Sequence, residues 1–346
     1  MGDAAHVPAL GSEVAGISRS EIVAAGKVIQ GRARLTPLLE SGTLNARTGG
    51  RVLIKPECLQ RTGSFKFRGA YNRIAAIPAE DRAGGVVAWS SGNHAQGVAC
   101  AARLFGLPAT IVMPNDAARI KVAGVQHFGA EIVFYDRRTE GREALGTKVL
   151  CERGGTFVHP YDDPLIVAGQ GTAGLEAAHQ MLVRDIVPDV ALVPCGGGGL
   201  VSGVTIGLRS EFPDIDVRSV EPVVHDDMAR SLAGNQRVAA DEGAATICDS
   251  LLPPQVGDIA FEVGRKCLGP GLVTSDTEVL EAIAFALLRL KLVVEPGGAA
   301  ALAAALAGRI DLRNKTALVV LSGGNADPAM LARALAETNE ARVGRA

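Results

Sequence analysis

Short runs of apolar and β-branched residues recur along this chain of 346 residues. Each run is followed by turn residues and then by a longer segment with apolar positions at helical spacing. Short apolar runs bounded by turn residues predict buried β-strands. The predicted strands are Val52–Lys55, Gly85–Trp89, Ala109–Met113, Glu131–Tyr135, Thr156–His159, Val190–Pro194, Val217–Val220 and Ala317–Leu321.

The segments between these strands have the periodicity of amphipathic helices. The clearest are His94–Phe105, Leu165–Leu182, Glu278–Leu292 and Pro328–Glu340. Because strands and helices alternate over the whole chain, the pattern predicts an α/β fold with parallel, twisted sheets covered by helices on both faces. Ligands in such folds bind beyond the carboxyl ends of the strands, so the residues that follow each strand are the candidates for chemistry.

Two lobes are favoured over a single core at this chain length. Residues 84–159 contain four of the predicted strands and form a candidate small domain, inserted into a large domain of residues 1–83 and 160–346. Closure of two lobes over a substrate would exclude water from a reactive intermediate.

Composition and charge exclude several classes of protein. The net charge is −2 and no long basic block is present, so nucleic acid is not an expected partner. The six cysteines include no CxxC pair, which argues against a zinc ribbon and against the disulfide framework of a secreted protein. The N-terminal residues lack the pattern of a signal peptide, and the Ala-rich stretch Ala299–Ala307 is too short to span a bilayer. We therefore expect a cytoplasmic protein without membrane association.

Lys66 lies in the segment RTGSFKFRGA and is flanked by Phe65 and Phe67. Apolar neighbours hold a lysine stem against apolar surface, and partial burial lowers a lysine pKa. The neutral amine is the form that condenses with an aldehyde to a Schiff base. For a single lysine, however, the simpler interpretation is favoured: a surface lysine whose aromatic neighbours face inward.

Two predicted strand-to-helix turns carry candidate binding groups. WSSGNH, residues 89–94, offers serine hydroxyls and backbone N–H groups to a carboxylate, although Ser or Asn can equally cap the helix. CGGGGL, residues 195–200, has four consecutive glycines that let the backbone wrap around a phosphate. Its spacing matches neither the GxGxxG motif nor a P-loop, so it predicts a phosphate but neither a dinucleotide nor ATP. A flexible turn that packs helix against sheet is the less favoured interpretation.

Two further segments follow predicted strands. In LSGGN, residues 321–325, the hydroxyl of Ser322 can hydrogen-bond a ring nitrogen, although an ordinary left-handed turn explains the segment by itself. In EPVVHDD, residues 221–227, two carboxylates can bind a hard cation such as Mg²⁺. A solvated acidic loop explains this second segment equally well.

Taken together and in this order, the segments resemble the serine/threonine dehydratase and serine racemase family of fold-type II enzymes, which depend on pyridoxal 5′-phosphate (PLP). The shared motifs are SFKFRGA, SSGNHAQGVA, the four-glycine loop, VEP, EPGGAAALA and LSGGN. They cover nearly the whole chain, from about Arg34 to Asp327. Each motif alone is moderately specific, and their common order makes coincidence implausible.

The resemblance implies a role for each motif residue. Lys66 would form the Schiff base with PLP and later remove the α-proton of the substrate. Phe65 would lie against the cofactor ring, and Asn93 would contact its 3-hydroxyl oxygen. Ser322 would face the pyridine nitrogen, and Glu295 would border the ring. A hydroxyl beside the pyridine nitrogen does not force protonation of the ring, which suits elimination.

The resemblance also implies binding sites for the phosphate, the substrate and a metal. The phosphate would be bound by the N–H groups of Gly196, Gly197, Gly198, Gly199 and Leu200. The substrate carboxylate would be bound by Ser90, Ser91, Asn93 and His94. Mg²⁺ or another divalent cation would be bound, as in the metal-bearing members, by Glu221, the backbone carbonyl of His225 and Asp227. By the same analogy we expect a homodimer.

Ser91 separates the two branches of the family that the chain resembles. Threonine dehydratases commonly have alanine at this position, whereas racemases place a serine on the ring face opposite the lysine. Lys66 and Ser91 would then act as two opposed bases. A serine or aspartate-type racemase is therefore the alternative to a dehydratase.

The expected reaction is β-elimination from a small β-hydroxy amino acid, with release of a 2-keto acid and ammonia. L-Threonine, L-serine and 3-hydroxyaspartate all fit this chemistry, and arginines in residues 137–142 are candidates for binding a second carboxylate. The resemblance ends near Asp327, so we expect a catabolic enzyme without the regulatory domain of biosynthetic threonine dehydratases. The missing GxGxxG motif argues against a nucleotide-dependent oxidoreductase, and retention of Lys66 and Ser91 argues against an inactive PLP-fold binding protein.

Overall fold

The computed structural model describes residues 13–117, 119–136, 138–241, 243 and 245–338. Within these residues ten strands form two sheets. The strands are β1 (Leu39–Glu40), β2 (Arg51–Pro56), β3 (Val86–Trp89), β4 (Ala109–Pro114), β5 (Glu131–Tyr135), β6 (Thr156–Phe157), β7 (Val190–Pro194), β8 (Asp216–Pro222), β9 (Leu272–Thr274) and β10 (Thr316–Leu321).

Helices cover both sheets, and among the described residues no helix combines the length and the apolar character needed to cross a bilayer. The α-helices are α1 (Arg19–Ile29), α2 (Gly42–Thr48), α3 (Lys66–Ala75), α4 (Asn93–Phe105), α5 (Arg119–His127), α6 (Arg142–Arg153), α7 (Pro164–Leu182), α8 (Gly199–Arg209), α9 (Asp227–Gly234), α10 (Asp258–Cys267), α11 (Asp276–Phe285), α12 (Pro296–Leu306) and α13 (Pro328–Glu337).

The larger sheet has six strands in the order β1-β2-β10-β7-β8-β9. All neighbours are parallel except β1, which pairs antiparallel with β2. Successive residues of a strand point to opposite faces. Ile54 and Val319 therefore pack with α11 and α12 on one face, whereas Leu53 and Leu318 pack with α7 and α8 on the other. Burial on both faces explains why these strands are continuously apolar.

The smaller sheet has four parallel strands in the order β5-β4-β3-β6, and all four fall within residues 84–159. Its core is shared with the rest of the chain, because Phe67 and Ile74 of α3 and Ile166 of α7 belong to the same buried cluster as Val86 and Ile111. We keep the division into a small inserted domain and a large domain as a proposal, with α3 packed against the small sheet.

Every predicted strand is present, and the predicted α/β class with parallel sheets is confirmed. The edge strands β1 and β9 were not predicted, and β6 ends two residues before the predicted end at His159. The helix predicted over Glu278–Leu292 is α-helical only to Phe285 and continues as a π-helical turn, Ala286–Leu290. The helix predicted to end at Glu340 ends at Glu337, and residues 339–340 lie outside the described residues.

Candidate active site

The residues that follow β3, β7 and β10 line one cavity of about 290 Å³. This is the edge at which ligands bind in parallel α/β folds. The cavity brings together every residue predicted for the cofactor and the substrate, and the list is Phe65, Lys66, Ser90, Ser91, Asn93, His94, Gly196, Gly197, Gly198, Gly199, Leu200, Glu295 and Ser322. Their individual roles stay predictions.

Lys66 begins α3, and its side chain is partly buried in the cavity wall. The Nζ atom donates a hydrogen bond of 2.7 Å to the carbonyl oxygen of Pro160 and lies 5.1 Å from the centre of the Phe65 ring. Burial lowers the pKa of the Lys66 amine to about 8, because removal of water disfavours the charged form. A substantial fraction of the amine is therefore neutral near physiological pH, as Schiff-base chemistry requires.

The four-glycine loop between β7 and α8 combines one left-handed residue with close contacts that leave little space for side chains. Gly198 has a φ of +85°, in the left-handed region, and a Cβ atom there would lie 2.3 Å from the Cβ atom of Ala260. A Cβ atom on Gly197 would lie 2.3 Å from the ring of Tyr161. The close packing of Tyr161 and α10 around the loop therefore explains the run of glycines.

This loop also has free hydrogen-bond donors at the start of α8. In the described part of the chain, the N–H groups from Gly196 to Leu200 donate to no protein acceptor. The first N–H groups of an α-helix lack intrahelical partners, and they favour an anion together with the helix dipole. A phosphate fits this donor set, and the Lys66 amine on the same cavity fits an aldehyde. The site therefore suits PLP.

Three polar side chains form a hydrogen-bonded chain at the cavity. Asn93 Nδ2 donates a short hydrogen bond to Glu295 Oε1, and Asn93 Oδ1 accepts one of 2.7 Å from Asn325 Nδ2. Asn325 Nδ2 also donates to the carbonyl oxygen of Thr62 at 2.8 Å. The carbonyl oxygen of Thr62 can only accept, so the NH₂ group of Asn325 faces it and also donates to Asn93. The oxygen of the Asn93 amide therefore faces Asn325, and its NH₂ group faces Glu295.

Glu295 is a buried carboxyl group, with 2% of its surface exposed. Burial raises its pKa to about 7, and the hydrogen bond from Asn93 opposes this shift. The group is therefore half-protonated near neutral pH. It can hold or release a proton inside the cavity.

The ring of His94 offers no free N–H donor to the carboxylate that this residue is predicted to bind. Its Nε2 atom lies 2.8 Å from the carbonyl oxygen of Val158, which can only accept, so Nε2 carries the proton. Burial, together with the nearby charge of Lys66, lowers the pKa of His94 to about 3. The remaining Nδ1 atom is an acceptor without a partner among the described residues. His94 can therefore bind a carboxylate only through its backbone N–H group at the start of α4.

The geometry does not support the predicted divalent cation. Both oxygens of Glu221 accept backbone hydrogen bonds of 2.8 Å from the start of α9, and Asp227 Oδ2 accepts one of 2.8 Å from Val256 N. These carboxylates therefore already serve as acceptors for backbone groups. Over the described ranges, no group of three or more His, Cys, Asp or Glu side chains is arranged to hold a metal ion. A metal at Glu221, His225 and Asp227 stays a prediction without structural support.

Several residues on the cavity were not singled out in the sequence. The list is Lys121, Tyr135, Glu143, His159, Tyr161 and Asp249. Lys121 forms a short ion pair with Asp249. Of the arginines considered for a second carboxylate, Arg142 lines the cavity, Arg138 pairs with Asp136 and is mostly exposed, and Arg137 lies outside the described residues. No local sequence signal distinguishes these polar residues from surface residues.

Comparison with known proteins agrees with this site. The family model of pyridoxal-phosphate dependent enzymes matches residues 29–323, which include Lys66, the glycine loop and Ser322. The chain belongs to this family. It is 42% identical over 310 residues to L-threo-3-hydroxyaspartate ammonia-lyase from a Pseudomonas species, covering 90% of this chain and 96% of that protein.

Two further similarities cover most of the chain. L-Threonine ammonia-lyase from Thermotoga maritima is 39% identical over 321 residues, covering 92% of this chain and 78% of that protein. The structure of maize serine racemase is similar with a TM-score of 0.85 and 34% identity, covering 92% of this chain and 97% of that one. The predicted family, its fold type and the prediction of a PLP-dependent ammonia-lyase are confirmed.

Proposed function

We propose that this protein is an ammonia-lyase that acts on 3-hydroxyaspartate and releases a dicarboxylic 2-keto acid and ammonia. The observation that carries the choice of substrate is the presence of two cationic side chains, Lys121 and Arg142, on the cavity that contains Lys66. The similarity to the Pseudomonas hydroxyaspartate enzyme, at 42% identity, supports the same choice.

Lys121 and Arg142 give the cavity a site for a second carboxylate. A guanidinium group binds a carboxylate through two parallel hydrogen bonds, and an ammonium group adds a point charge. Lys121 forms an ion pair with Asp249, so a β-carboxylate on the substrate would share or replace a contact that Lys121 already makes with an acid. The hydroxymethyl and hydroxyethyl side chains of serine and threonine offer no such partner.

The chain's own residues would bind the substrate and move its α-proton. The backbone N–H groups of Ser91 and Asn93 at the start of α4 would bind the α-carboxylate. PLP, when bound, supplies an electron sink that stabilises negative charge at Cα. The Lys66 amine would take the α-proton, since its lowered pKa keeps part of it neutral and the Pro160 carbonyl holds it in place.

Racemisation is the second candidate activity. Ser91 lies on the same cavity as Lys66, as a second acid/base would require, and the similarity to maize serine racemase favours this option. The cytoplasmic location and the homodimer expected from the sequence stay predictions.

The test compares substrates with and without a second carboxylate. The purified protein is incubated with L-threo-3-hydroxyaspartate, L-serine and L-threonine, and the release of 2-keto acid is followed together with the chirality of the remaining amino acid. We expect the highest kcat/KM with 3-hydroxyaspartate. A higher kcat/KM with L-serine or L-threonine would contradict the proposed substrate, and inversion as the main outcome would favour the racemase.

An arginine variant tests the proposed contact. Arg142→Leu should lower kcat/KM for 3-hydroxyaspartate by about 30- to 100-fold, because a charge-assisted hydrogen-bond pair is lost, and should change kcat/KM for L-serine little. Arg138→Leu is the matched control, since this exposed arginine pairs with Asp136 and does not line the cavity. An equal loss for both substrates would show that Arg142 does not bind the second carboxylate.

A further inference from the structure

His159 lies between β6 and α7 on the wall of the cavity, and no motif points to it. Its Nδ1 atom accepts backbone hydrogen bonds from Asp162 N at 2.7 Å and from Tyr161 N at 3.3 Å. A ring nitrogen that accepts N–H groups carries no proton, so the proton of the neutral ring is on Nε2. His159 therefore closes the turn from residue 159 to residue 162 with its own side chain.

Burial agrees with this protonation state. It lowers the pKa of His159, and the charge of Lys66 acts in the same direction, whereas the carboxylates of Asp162 and Asp163 oppose the shift. The ring is therefore neutral near pH 7 and keeps Nδ1 available as an acceptor.

The turn is also held from its other end. Asp162 accepts hydrogen bonds from Asp258 N at 3.1 Å and from Ile259 N at 3.0 Å, at the start of α10. The ring of Tyr161 contacts the ring of His159 edge-on, with 4.8 Å between ring centres, and packs against Gly197 of the four-glycine loop. The residue between His159 and Tyr161 thus has little freedom to move.

That residue is Pro160, and its carbonyl oxygen accepts the hydrogen bond of 2.7 Å from Lys66 Nζ. A carbonyl that accepts one N–H of a neutral amine restricts the position of the amine nitrogen. The lone pair of that nitrogen stays free to take a proton or to attack an aldehyde. The position of this carbonyl depends on the turn that His159 closes.

We propose that His159 is a positioning residue for Lys66, since its Nδ1 atom fixes the turn that presents the Pro160 carbonyl to the lysine amine. The inference rests on the proposed role of Lys66. It assigns to His159 an action through the backbone, without contact with the reacting atoms.

Two isosteric variants separate this role from a direct one. In His159→Asn the amide oxygen takes the place of Nδ1 and can still accept from Asp162 N. In His159→Gln the longer amide takes the place of Nε2 and leaves the turn without an acceptor. His159→Ala removes both, and His179→Ala, which is an exposed histidine on α7, is the control.

The readout is the rate at which the full-length apo chain recombines with added PLP, followed by visible absorption. Recombination requires the lysine amine to be in place and does not require turnover. We expect His159→Gln and His159→Ala to recombine about tenfold more slowly than the wild type, which corresponds to the loss of one net hydrogen bond, and His159→Asn to stay within about twofold. The His179→Ala control should match the wild type.

Two results would overturn the inference: recombination at the wild-type rate in His159→Gln, or an equal loss in all three His159 variants. Borohydride reduction of each PLP-loaded protein distinguishes a failure of this inference from a failure of the proposed role of Lys66. A pyridoxyl group on Lys66 with unchanged recombination rates overturns only the role of His159. A wild-type protein without that label overturns the role of Lys66 as well.

Discussion

Two ionisable side chains on the cavity, Lys66 and Glu295, have pKa values shifted towards neutrality from opposite sides. Burial lowers the pKa of the Lys66 amine to about 8 and raises the pKa of the Glu295 carboxyl group to about 7. Removal of water disfavours the charged form of each, so a neutral base and a protonated acid can both be present near pH 7. Such matched shifts are typical of groups that exchange protons during a reaction.

The shift of Glu295 predicts how stability changes with pH. Its pKa is higher in the folded chain, about 7, than the ordinary value of 4.5, so the folded state binds more protons in this range and the free energy of unfolding falls as the pH rises from about 4.5 to 7. Glu295→Gln removes this dependence and can still accept from Asn93. The free energy of unfolding of the variant, measured in urea relative to the wild type, should rise by on the order of 2 kcal/mol from pH 5 to pH 8. If the difference in free energy of unfolding between variant and wild type does not change with pH, the raised pKa of Glu295 is contradicted.

At this scale the sequence predicted the residues with a local signature and missed those with distant partners. Lys66 and Ser322 stand in recognisable motifs, and both lie on the cavity. Asn325 binds a side chain far from it in the sequence, and the turn that His159 closes meets Lys66 only through the hydrogen bond to Pro160, 94 residues away from Lys66. Asn325, for example, is 232 residues from Asn93.

At the scale of secondary-structure elements, the site consists of turns that follow buried parallel strands. β7 leads into α8 through the glycine loop, and β3 leads into α4 through the serine turn. These elements were predictable because both sheets are covered on two faces, which makes the strands continuously apolar. The edge strands β1 and β9 have two and three residues, too few to show a period. The π-helical turn after α11 has the same apolar spacing as an α-helix over so short a stretch, so the pattern did not indicate it.

The glycine loop gives a prediction about backbone geometry. Gly198→Ala should weaken PLP binding at least tenfold and reduce the free energy of unfolding by about 1–3 kcal/mol, because the new Cβ atom is strained at a φ of +85° and clashes with Ala260. Equilibrium titration with PLP and thermal unfolding measure the two effects. Gly234→Ala at the end of α9 is the matched control, since nothing lies within 4 Å of its added Cβ atom. Wild-type PLP affinity in Gly198→Ala would contradict the role of the loop.

At the scale of the whole molecule, the cavity depends on contacts between the part of the chain that carries the small sheet and the part that carries the large one. Lys121 of α5 pairs with Asp249, and Asn93 of α4 binds Asn325 beyond β10. The order of strands and helices predicted both sheets and the motifs predicted the family. The contacts between the two parts were not predictable, because they depend on how the two sheets are oriented and not on any local pattern.

The central claim is that Lys66 alone joins the chain to PLP. Lys55 is a stringent internal comparison, since it is also buried with a lowered pKa, but its amine is held by Glu176 at 2.5 Å and by Gln180 at 2.9 Å. The most direct measurement is borohydride reduction of the PLP-loaded protein followed by peptide mass spectrometry. We predict a single pyridoxyl group on Lys66, and neither label nor keto-acid release in Lys66→Ala. A label on Lys55 or Lys121, or undiminished keto-acid release in Lys66→Ala, would contradict this account.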